Sequence, residues 1–381
     1  MHTLESIDPS LGGPVLSAGS LAVAQMRAGH DVRLITYRTG NFERSNELLR
    51  EQLPQIEALP IVCVDGFGAI EKTLGTKARK VFRATFRSAD VVHTHGFWNA
   101  FDIAAAREAV RRHCRLVIAP RGMLDPWSLA QKRLKKSIAL KLVWKQLLLS
   151  ANFIHALTED ERELMRPIVP VTRVKVFPNG VFVEQFDSSR CCGDSFRARN
   201  PAAGGNPYVL FLGRLHHKKG LDFLLDAFAI LERVHRDLHL VIAGPDQGMM
   251  QHLERWVDDR ALKGRVHFPG PLYGAEKLSA LGGAACFCLP SRQEGFSMAI
   301  LEALACGLPV VISRNCHFED VAKAGAGEVV DLKSECIAEA ISTLLTDGSK
   351  RAAARLAARS LVASRYNMDV IARELTDAYP A

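Results

Sequence analysis

Short apolar runs alternate with helix-spaced segments along most of this chain. Tyr208–Leu212 reads Y-V-L-F-L, His239–Ala243 reads H-L-V-I-A, and Ala284–Leu289 reads A-A-C-F-C-L. Continuous apolar runs this short are those of parallel strands buried on both faces. Further runs at Leu4–Ile7, Asp31–Thr36, Asp90–His95, Leu116–Ala119, Phe153–Leu157, Val174–Phe177, Arg265–Phe268 and Val310–Ile312 predict more strands. Helical spacing falls between them at Ser17–Ala28, Ser128–Leu149, Leu221–Arg233 and Met298–Cys306, and again at Asp369–Tyr379. Two successive series of strand and helix predict an α/β protein with two doubly wound sheets. Between the series, residues 181–206 lose periodicity (S-S-R-C-C-G-D-S, then N-P-A-A-G-G-N-P) and read as a linker.

The polar residues gather where the strands end. D-P-S-L-G-G-P, with Gly12 and Gly13, follows the first strand. G-F-W-N follows Asp90–His95, and P-R-G-M-L-D-P-W follows Leu116–Ala119, placing His95, Trp98, Arg121 and Trp127 at strand ends. P-N-G, Pro178–Gly180, closes Val174–Phe177. In open α/β sheets ligands bind outside the carboxyl ends of strands. The Gly12–Gly13 loop is not G-x-G-x-x-G, so it predicts no nicotinamide site. Gly213–Gly220, G-R-L-H-H-K-K-G, sets Arg214 and Lys219 just before a helix N-terminus. Positive side chains beside free backbone N–H groups suit a diphosphate, although a solvated basic turn has the same composition.

The densest chemistry lies between Ala285 and Ile312. Pro290 stops a strand, Ser291–Gly295 turn, Ser297 offers an N-cap, and Met298–Cys306 form an apolar helix ended by Gly307 and Pro309. Glu294 lies in the loop and Glu302 in the helix. A carboxylate in a helix apolar all round is paired or hydrogen-bonded, because stranding it costs several kcal/mol. Two readings stay open for Glu302: a structural bond to backbone or a cation, or a grip on ligand hydroxyls.

At 381 residues, with 48% hydrophobic and 24% charged residues, the composition is that of a soluble globular protein of two domains. The net charge of +8 fits an anionic ligand, a membrane surface or nucleic acid, without choosing. The nine cysteines form no C-x-x-C pair, and several sit in apolar runs, as reduced thiols of a cytosolic protein do. No apolar run is long enough to span a membrane, and no signal peptide is visible. Ser128–Leu149 carries Lys132, Arg133, Lys135, Lys136, Lys141 and Lys145 and no acid, with Leu134, Ile138, Leu142 and Leu149 at helical spacing. It is either a packed helix with a solvated basic face or an interfacial helix for anionic headgroups. There is no P-loop, H-E-x-x-H, Cys/His cluster, D-x-D or G-x-S-x-G, so no metal site is expected.

The string P-S-x-x-E-G-F-S-x-x-x-L-E-A-L-A-C-G-L-P-V-V, Pro290–Val311, resembles the donor-site signature of the group 1, or family 4, retaining glycosyltransferases. G-R-x-x-x-K-K-G resembles that family's phosphate loop, and Pro178–Gly180 the end of its first domain. The resemblance covers nearly the whole chain. It implies the GT-B fold, two Rossmann-like domains facing across a cleft: 1–180 on the acceptor side, 181–206 as linker, 207–360 for the nucleotide sugar, and 361–381 as a helix crossing back. It implies sugar transfer from a UDP-sugar or GDP-sugar to a hydroxyl of a sugar or lipid-linked glycan, with retention and no further cofactor, in bacterial cell-surface polysaccharide, such as lipopolysaccharide, or glycolipid biosynthesis. By the same resemblance, Arg214 and Lys219 neutralise the diphosphate, and Gly295, Phe296, Ser297 and the helix N-terminus add to that. Glu302 holds the ribose, Glu294 the sugar, and Gly12 and Gly13 lie at the cleft. His95, Trp98, Arg121 and Asn179 are the acceptor-side candidates. Many relatives have a histidine where this chain has Arg121, and some resemble this chain in carrying an arginine, which leaves open whether Arg121 replaces a catalytic-site histidine. The expected location is cytoplasmic, with residues 128–149 as a peripheral contact to the inner face of the membrane. The competing readings are a sugar-phosphate synthase-like enzyme on the same fold and a non-enzymatic binding module. The phosphorylase variant needs a pyridoxal lysine motif that is not seen. A nucleic-acid module needs basic–aromatic interleaving, also not seen.

Overall fold

The computed structural model describes residues 1–187, 193–200 and 205–379. The chain forms two compact units, Met1–Asn179 with Met368–Ala381, and Gly180–Asn367. Each is built on one all-parallel sheet, and each sheet is buried on both faces, as its apolar runs require.

In the first unit the strands are β1 (His2–Thr3), β2 (Leu34–Tyr37), β3 (Ile61–Val64), β4 (Val91–His95), β5 (Arg115–Ala119), β6 (Phe153–Ala156) and β7 (Val174–Val176), in the order β3-β2-β1-β4-β5-β6-β7. The second unit has β8 (Tyr208–Leu212), β9 (His239–Ala243), β10 (Val266–Gly270), β11 (Cys286–Leu289), β12 (Val310–Ser313) and β13 (Gly327–Val330), in the order β10-β9-β8-β11-β12-β13. The strand order reverses between β1 and β4 in one sheet, and between β8 and β11 in the other. These reversals open the crevices where doubly wound sheets bind ligands.

Residues 181–206 are not a free linker in their described part. Val181 pairs with Asn367, Phe182 and Phe186 are buried, and helix Asp194–Arg199 packs on helix Gly274–Gly283 with Phe196 in the core. Three isolated aromatics anchor this stretch, a pattern with no period for a sequence reading to detect. Residues 188–192 and 201–204 of the expected linker lie outside the described residues. The crossing back comes later than 361. Helix Gly348–Arg365 still belongs to the second unit, with Leu361 and Val362 buried. Helix Met368–Asp377 then packs in the first unit against helix Gly13–Arg27.

The basic segment 128–149 is not one helix. It divides into Pro126–Ala130, Arg133–Ala139, a π-helical turn at Leu140–Trp144, and Lys145–Ser150, with Lys132 left-handed at φ 53°. The break is at Gln131–Lys132, and 133–150 then runs on through the π turn, which ends at Trp144. Trp144 is fully buried and stacks on Phe97 at 3.8 Å between centroids, while Leu134, Ile138 and Leu142 face outward, 75%, 50% and 78% exposed. Among the described residues no helix is long and apolar enough to cross a membrane.

Candidate active site

In the second unit the two loops at the strand reversal are the ones rich in chemistry. The loop after β8 carries Arg214 and Lys219, and the loop after β11 carries Glu294. Backbone contacts lock them together. Arg292 N donates to Lys218 O at 2.7 Å, and Gly220, at φ 66°, lies so close to Pro290 O that a Cβ there would meet it at 1.9 Å. Only glycine fits. Side chains repeat the clasp. Arg292 makes a fork to Asp222 (2.7 and 2.5 Å) and donates to His217 O at 2.9 Å. Burial raises the Asp222 pKa, but the Arg292 contacts outweigh it and hold the carboxylate below its ordinary range. Lys218 Nζ donates to Gln293 Oε1 at 2.8 Å.

Within this clasp Lys219 Nζ pairs with Glu294 Oε1, which also accepts from Ser291 Oγ at 2.7 Å. The Lys219 and Glu294 side chains are only 15% and 11% exposed, so Lys219 is not the freely exposed residue its loop position suggests. Arg214 reaches only a neutral partner, Gln247 Oε1, at 3.3 Å. Among the described residues no carboxylate compensates its charge. Glu294 is held at the backbone as well, through Glu294 N to Asn315 O at 3.1 Å.

The helix that follows runs Met298–Ala305. Ser297 occupies the N-cap position, but among the described residues its hydroxyl makes no capping bond. The sequence predicts a Ser cap. Without it, first-turn N–H groups of this helix remain available to an anion. Phe296 packs at a tilt against Phe318 (4.9 Å between centroids) and Tyr366 (5.8 Å), which pins Gly295 and Ser297 on either side of it.

Glu302 has the cation that its apolar helix demands. Its Oε1 accepts from Lys277 Nζ at 2.7 Å, and the two side chains are 9% and 10% exposed. Sequence reasoning missed Lys277, which lies in helix Gly274–Gly283, before the next strand. A lysine in a mixed helix carries no signal of its own. The requirement for a cation opposite Glu302 was the one clue. Among the described residues Glu302 Oε2 has no protein partner, so one carboxylate oxygen remains for a ligand hydroxyl.

The first unit brings together three of its four candidates. Arg121, left-handed at φ 54°, donates to Asn179 Oδ1 at 2.8 Å and to His95 Nδ1 at 2.8 Å. Both partners are neutral. Burial pulls the Arg121 pKa down, opposed by Glu161. The Glu161 carboxylate itself is taken up by Gly122 N and Leu157 N, each at 2.7 Å. His95 is buried, and burial, then His93 and Arg121, hold it neutral. Trp98 lies apart from them. Its indole donates to Met123 O at 3.1 Å, and Lys136 Nζ sits 4.8 Å over its ring. Gly12, at φ 108°, leads into Gly13, the first residue of helix Gly13–Arg27 at the carboxyl end of β1.

Comparison with known proteins gives this arrangement relatives. Residues 12–180 match the model of the glycosyl transferase 4-like domain, and residues 194–361 that of glycosyl transferases group 1. The chain is 25% identical to a GDP-mannose:cellobiosyl-diphosphopolyprenol alpha-mannosyltransferase of Xanthomonas campestris, over 100% of this chain and 96% of that protein. It is 32% identical, over 47% of its length and 45% of the relative's, to a GDP-mannose-dependent alpha-(1-6)-phosphatidylinositol dimannoside mannosyltransferase of Mycobacterium tuberculosis. Among solved structures, Anabaena Alr3699/HepE in complex with UDP and glucose superposes with a TM-score of 0.78 at 18% identity, covering 99% of this chain and 97% of that one. WaaG, a glycosyltransferase involved in lipopolysaccharide biosynthesis, does so with 0.70 at 17%, covering 100% and 99%. These two likenesses speak for the fold.

Proposed function

Because the chain belongs to the group 1 glycosyltransferases and has their GT-B fold, we propose that it moves a hexosyl group, with retention, from a UDP-sugar or GDP-sugar to a hydroxyl of a lipid-linked glycan in cell-surface polysaccharide or glycolipid synthesis. The observation that carries this is the clasp of the two switch-point loops, which pairs Glu294 with Lys219 on the same loop that carries Arg214. Arg214, Lys219 and the uncapped helix end after Ser297 neutralise the diphosphate as it departs. Stabilising charge where it develops is the largest physical effect available, and one such contact contributes roughly 3–4 kcal/mol. Glu294, held by Lys219 and Ser291, receives donor-sugar hydroxyls. Glu302 Oε2 receives a ribose hydroxyl, while Oε1 stays on Lys277. The C1–O bond to phosphate breaks, and the acceptor oxygen bonds to C1 on the same face. The acceptor proton passes to the departing phosphate oxygen. In this reading protein cations do the work of a metal, so activity survives EDTA.

The acceptor class draws support from the Xanthomonas campestris relative, whose name specifies a diphosphopolyprenol-linked acceptor. Membrane contact draws support from the surface around 128–149. Leu134, Ile138 and Leu142 stand exposed four residues apart, beside exposed Lys132, Arg133, Lys135, Lys141 and Lys145. Apolar side chains interleaved with cations suit an anionic lipid interface on the cytoplasmic side. Lys136 takes no part, being turned inward to Ser128 O at 2.6 Å.

The test is a transfer assay with UDP-glucose or GDP-mannose as donor and cellobiosyl diphosphate on a short alkyl chain as acceptor probe. Nucleotide release and the anomeric coupling of the product are followed with and without EDTA. An α-linked product from these α-donors, with EDTA tolerated, is expected. A β-linked product would overturn retention, and transfer to fructose 6-phosphate instead of the glycan probe would favour the sugar-phosphate synthase-like alternative.

A further inference from the structure

Four histidines of the first unit, His2, His93, His95 and His155, are buried together. Side-chain nitrogens of His2, His93 and His95 lie within 4.8 Å of one another, a spacing that would suit a metal ion. The hydrogen-bond directions decide against that use. Arg121 can only donate, so His95 Nδ1, 2.8 Å from Arg121 Nη2, presents its lone pair. His95 then carries its proton on Nε2 and donates to His2 Nδ1 at 2.8 Å. His2 Nε2 donates to Gln25 Oε1 at 2.7 Å. The Gln25 amide nitrogen donates to Tyr379 Oη at 3.1 Å, and to Thr376 Oγ1 at 3.0 Å, whose own proton goes to Ala372 O. Tyr379 donates to His93 Nδ1 at 3.2 Å, and His93 Nε2 donates to His155 Nδ1 at 3.2 Å. His155 Nε2 donates to Phe177 O at 2.8 Å.

The chain of bonds has a fixed sense, because a guanidinium cannot accept at one end and a carbonyl cannot donate at the other. Every imidazole is therefore neutral and protonated on Nε2, and every Nδ1 lone pair is occupied. We propose that this one-way relay makes Tyr379 a positioning residue for Arg121, holding the acceptor-side guanidinium in place across the whole sheet, and closes the three-histidine cluster to metal ions. The functional half rests on the acceptor-side reading of Arg121. The relay explains how a charged group with two neutral partners keeps one orientation: His95 cannot turn over without breaking each bond behind it. It also gives the helix Met368–Asp377 and the residues just after it a task beyond packing.

The test combines spectroscopy with kinetics on the full chain. In protein labelled with 15N at histidine, with resonances assigned by single substitutions, His2, His93, His95 and His155 are expected as neutral Nε2–H tautomers at pH 7. An Nδ1–H or doubly protonated form at any of them overturns the relay, as does zinc binding that is lost in His95→Gln. Tyr379→Phe removes two bonds, the one accepted from Gln25 and the one donated to His93, and one proton. It is expected to raise KM for the alkyl diphosphate probe by about three- to tenfold, with KM for the nucleotide sugar unchanged and the His95 resonances shifted. An unchanged probe KM in Tyr379→Phe, where Arg121→Gln does raise it, removes the positioning role. If Arg121→Gln leaves probe KM unchanged while the four tautomers stand, the acceptor-side reading has failed and the network has not.

Discussion

Glu302→Gln tests the site and the fold with one atom changed. In the native unit Lys277 Nζ lies 2.7 Å from Glu302 Oε1, and both side chains are about nine-tenths buried. Gln keeps the shape and an acceptor oxygen but leaves the ammonium facing no negative charge. Removing one partner of a buried pair costs roughly 3–5 kcal/mol, since the other stays uncompensated. In a unit the size of Gly180–Asn367, each kcal/mol moves Tm by about 2–4 °C, so a fall of roughly 6–20 °C is expected. Lys277→Met should cost a comparable amount, and the double variant Lys277→Met with Glu302→Gln should recover much of the loss, as replaced buried pairs often do. The ligand role separates from the scaffold role in calorimetry with bare UDP and GDP at a temperature where each variant is folded. Charged hydrogen bonds contribute roughly 1.5–3 kcal/mol, so Glu302→Gln should weaken the nucleotide by one to two decades. Lys277→Met should weaken it less, because Oε2 remains. A Glu302→Gln protein whose Tm stays within about 2 °C of native would refute the buried-pair argument. Unchanged nucleotide affinity in the folded variant would remove Glu302 from the donor site.

Arg214→Ala should cut turnover by two to three decades, about 3–4 kcal/mol, with Tm unmoved because its partner is a neutral Gln247. Lys219→Ala should lower turnover and Tm together, since it strands Glu294; near-normal turnover in both would take them out of the site. Gly220→Ala should destabilise the second unit and impair diphosphate binding, because its Cβ has nowhere to go beside Pro290 O; a native Tm would show that the clasp is looser than described. Gln at Lys132, Lys135 and Lys141 should abolish co-sedimentation with anionic vesicles, and added salt should weaken the native binding; equal binding to neutral vesicles would leave these residues as a solvated face. Acid should destabilise the first unit. Burial lowers His2 and His155 to about 3 and His93 and His95 well below the ordinary 6.5, so unfolding takes up protons. Stability is then complete above pH 6.5 and lost as pH falls from there toward 3, at about 1.4 kcal/mol per pH unit for each histidine. Asp102, raised by burial, opposes this by one proton; a flat Tm between pH 7 and 4.5 would contradict the neutral cluster.

What the sequence disclosed follows from how each feature is encoded. Strands β8 and β9 are legible to the residue, because a strand buried on both faces is an unbroken apolar run. The apolar pattern predicts β1 at Leu4–Ile7, but it lies at His2–Thr3; its own residues are a buried histidine and threonine, which no apolar pattern announces. β3 and β13, at sheet edges, were not anticipated at all. β13 reads G-E-V-V, with too few apolar residues to announce a strand, but β3 reads I-V-C-V, an apolar run that the pattern does offer. The donor loops were legible because the charges sit on the loops themselves. Their clasp was not, since Arg292 with Asp222 and Lys219 with Glu294 are partners far apart in sequence.

The histidine relay marks the limit most sharply. His93, His95 and His155 lie on strands, where a lone histidine is ordinarily structural, and Tyr379 lies at the far end of the chain. Read singly, each is a buried polar residue that needs a partner. Only the sheet order, with β1 beside β4 and the last helix on helix Gly13–Arg27, brings the partners into one file. The strand reversal that opens the crevice beside β1 is thus also what lines up the groups behind Arg121. A buried polar network is costly unless every member is satisfied. In this file every link from Arg121 Nη2 to Phe177 O is made, while Arg121 Nε is left without a partner, so losing any one member should disturb the members on both sides. Substitutions at His2, Gln25 and Tyr379 should therefore be strongly non-additive. A double variant no worse than the poorer single variant is the outcome expected of a chain, and additive losses would mark separate packing contacts.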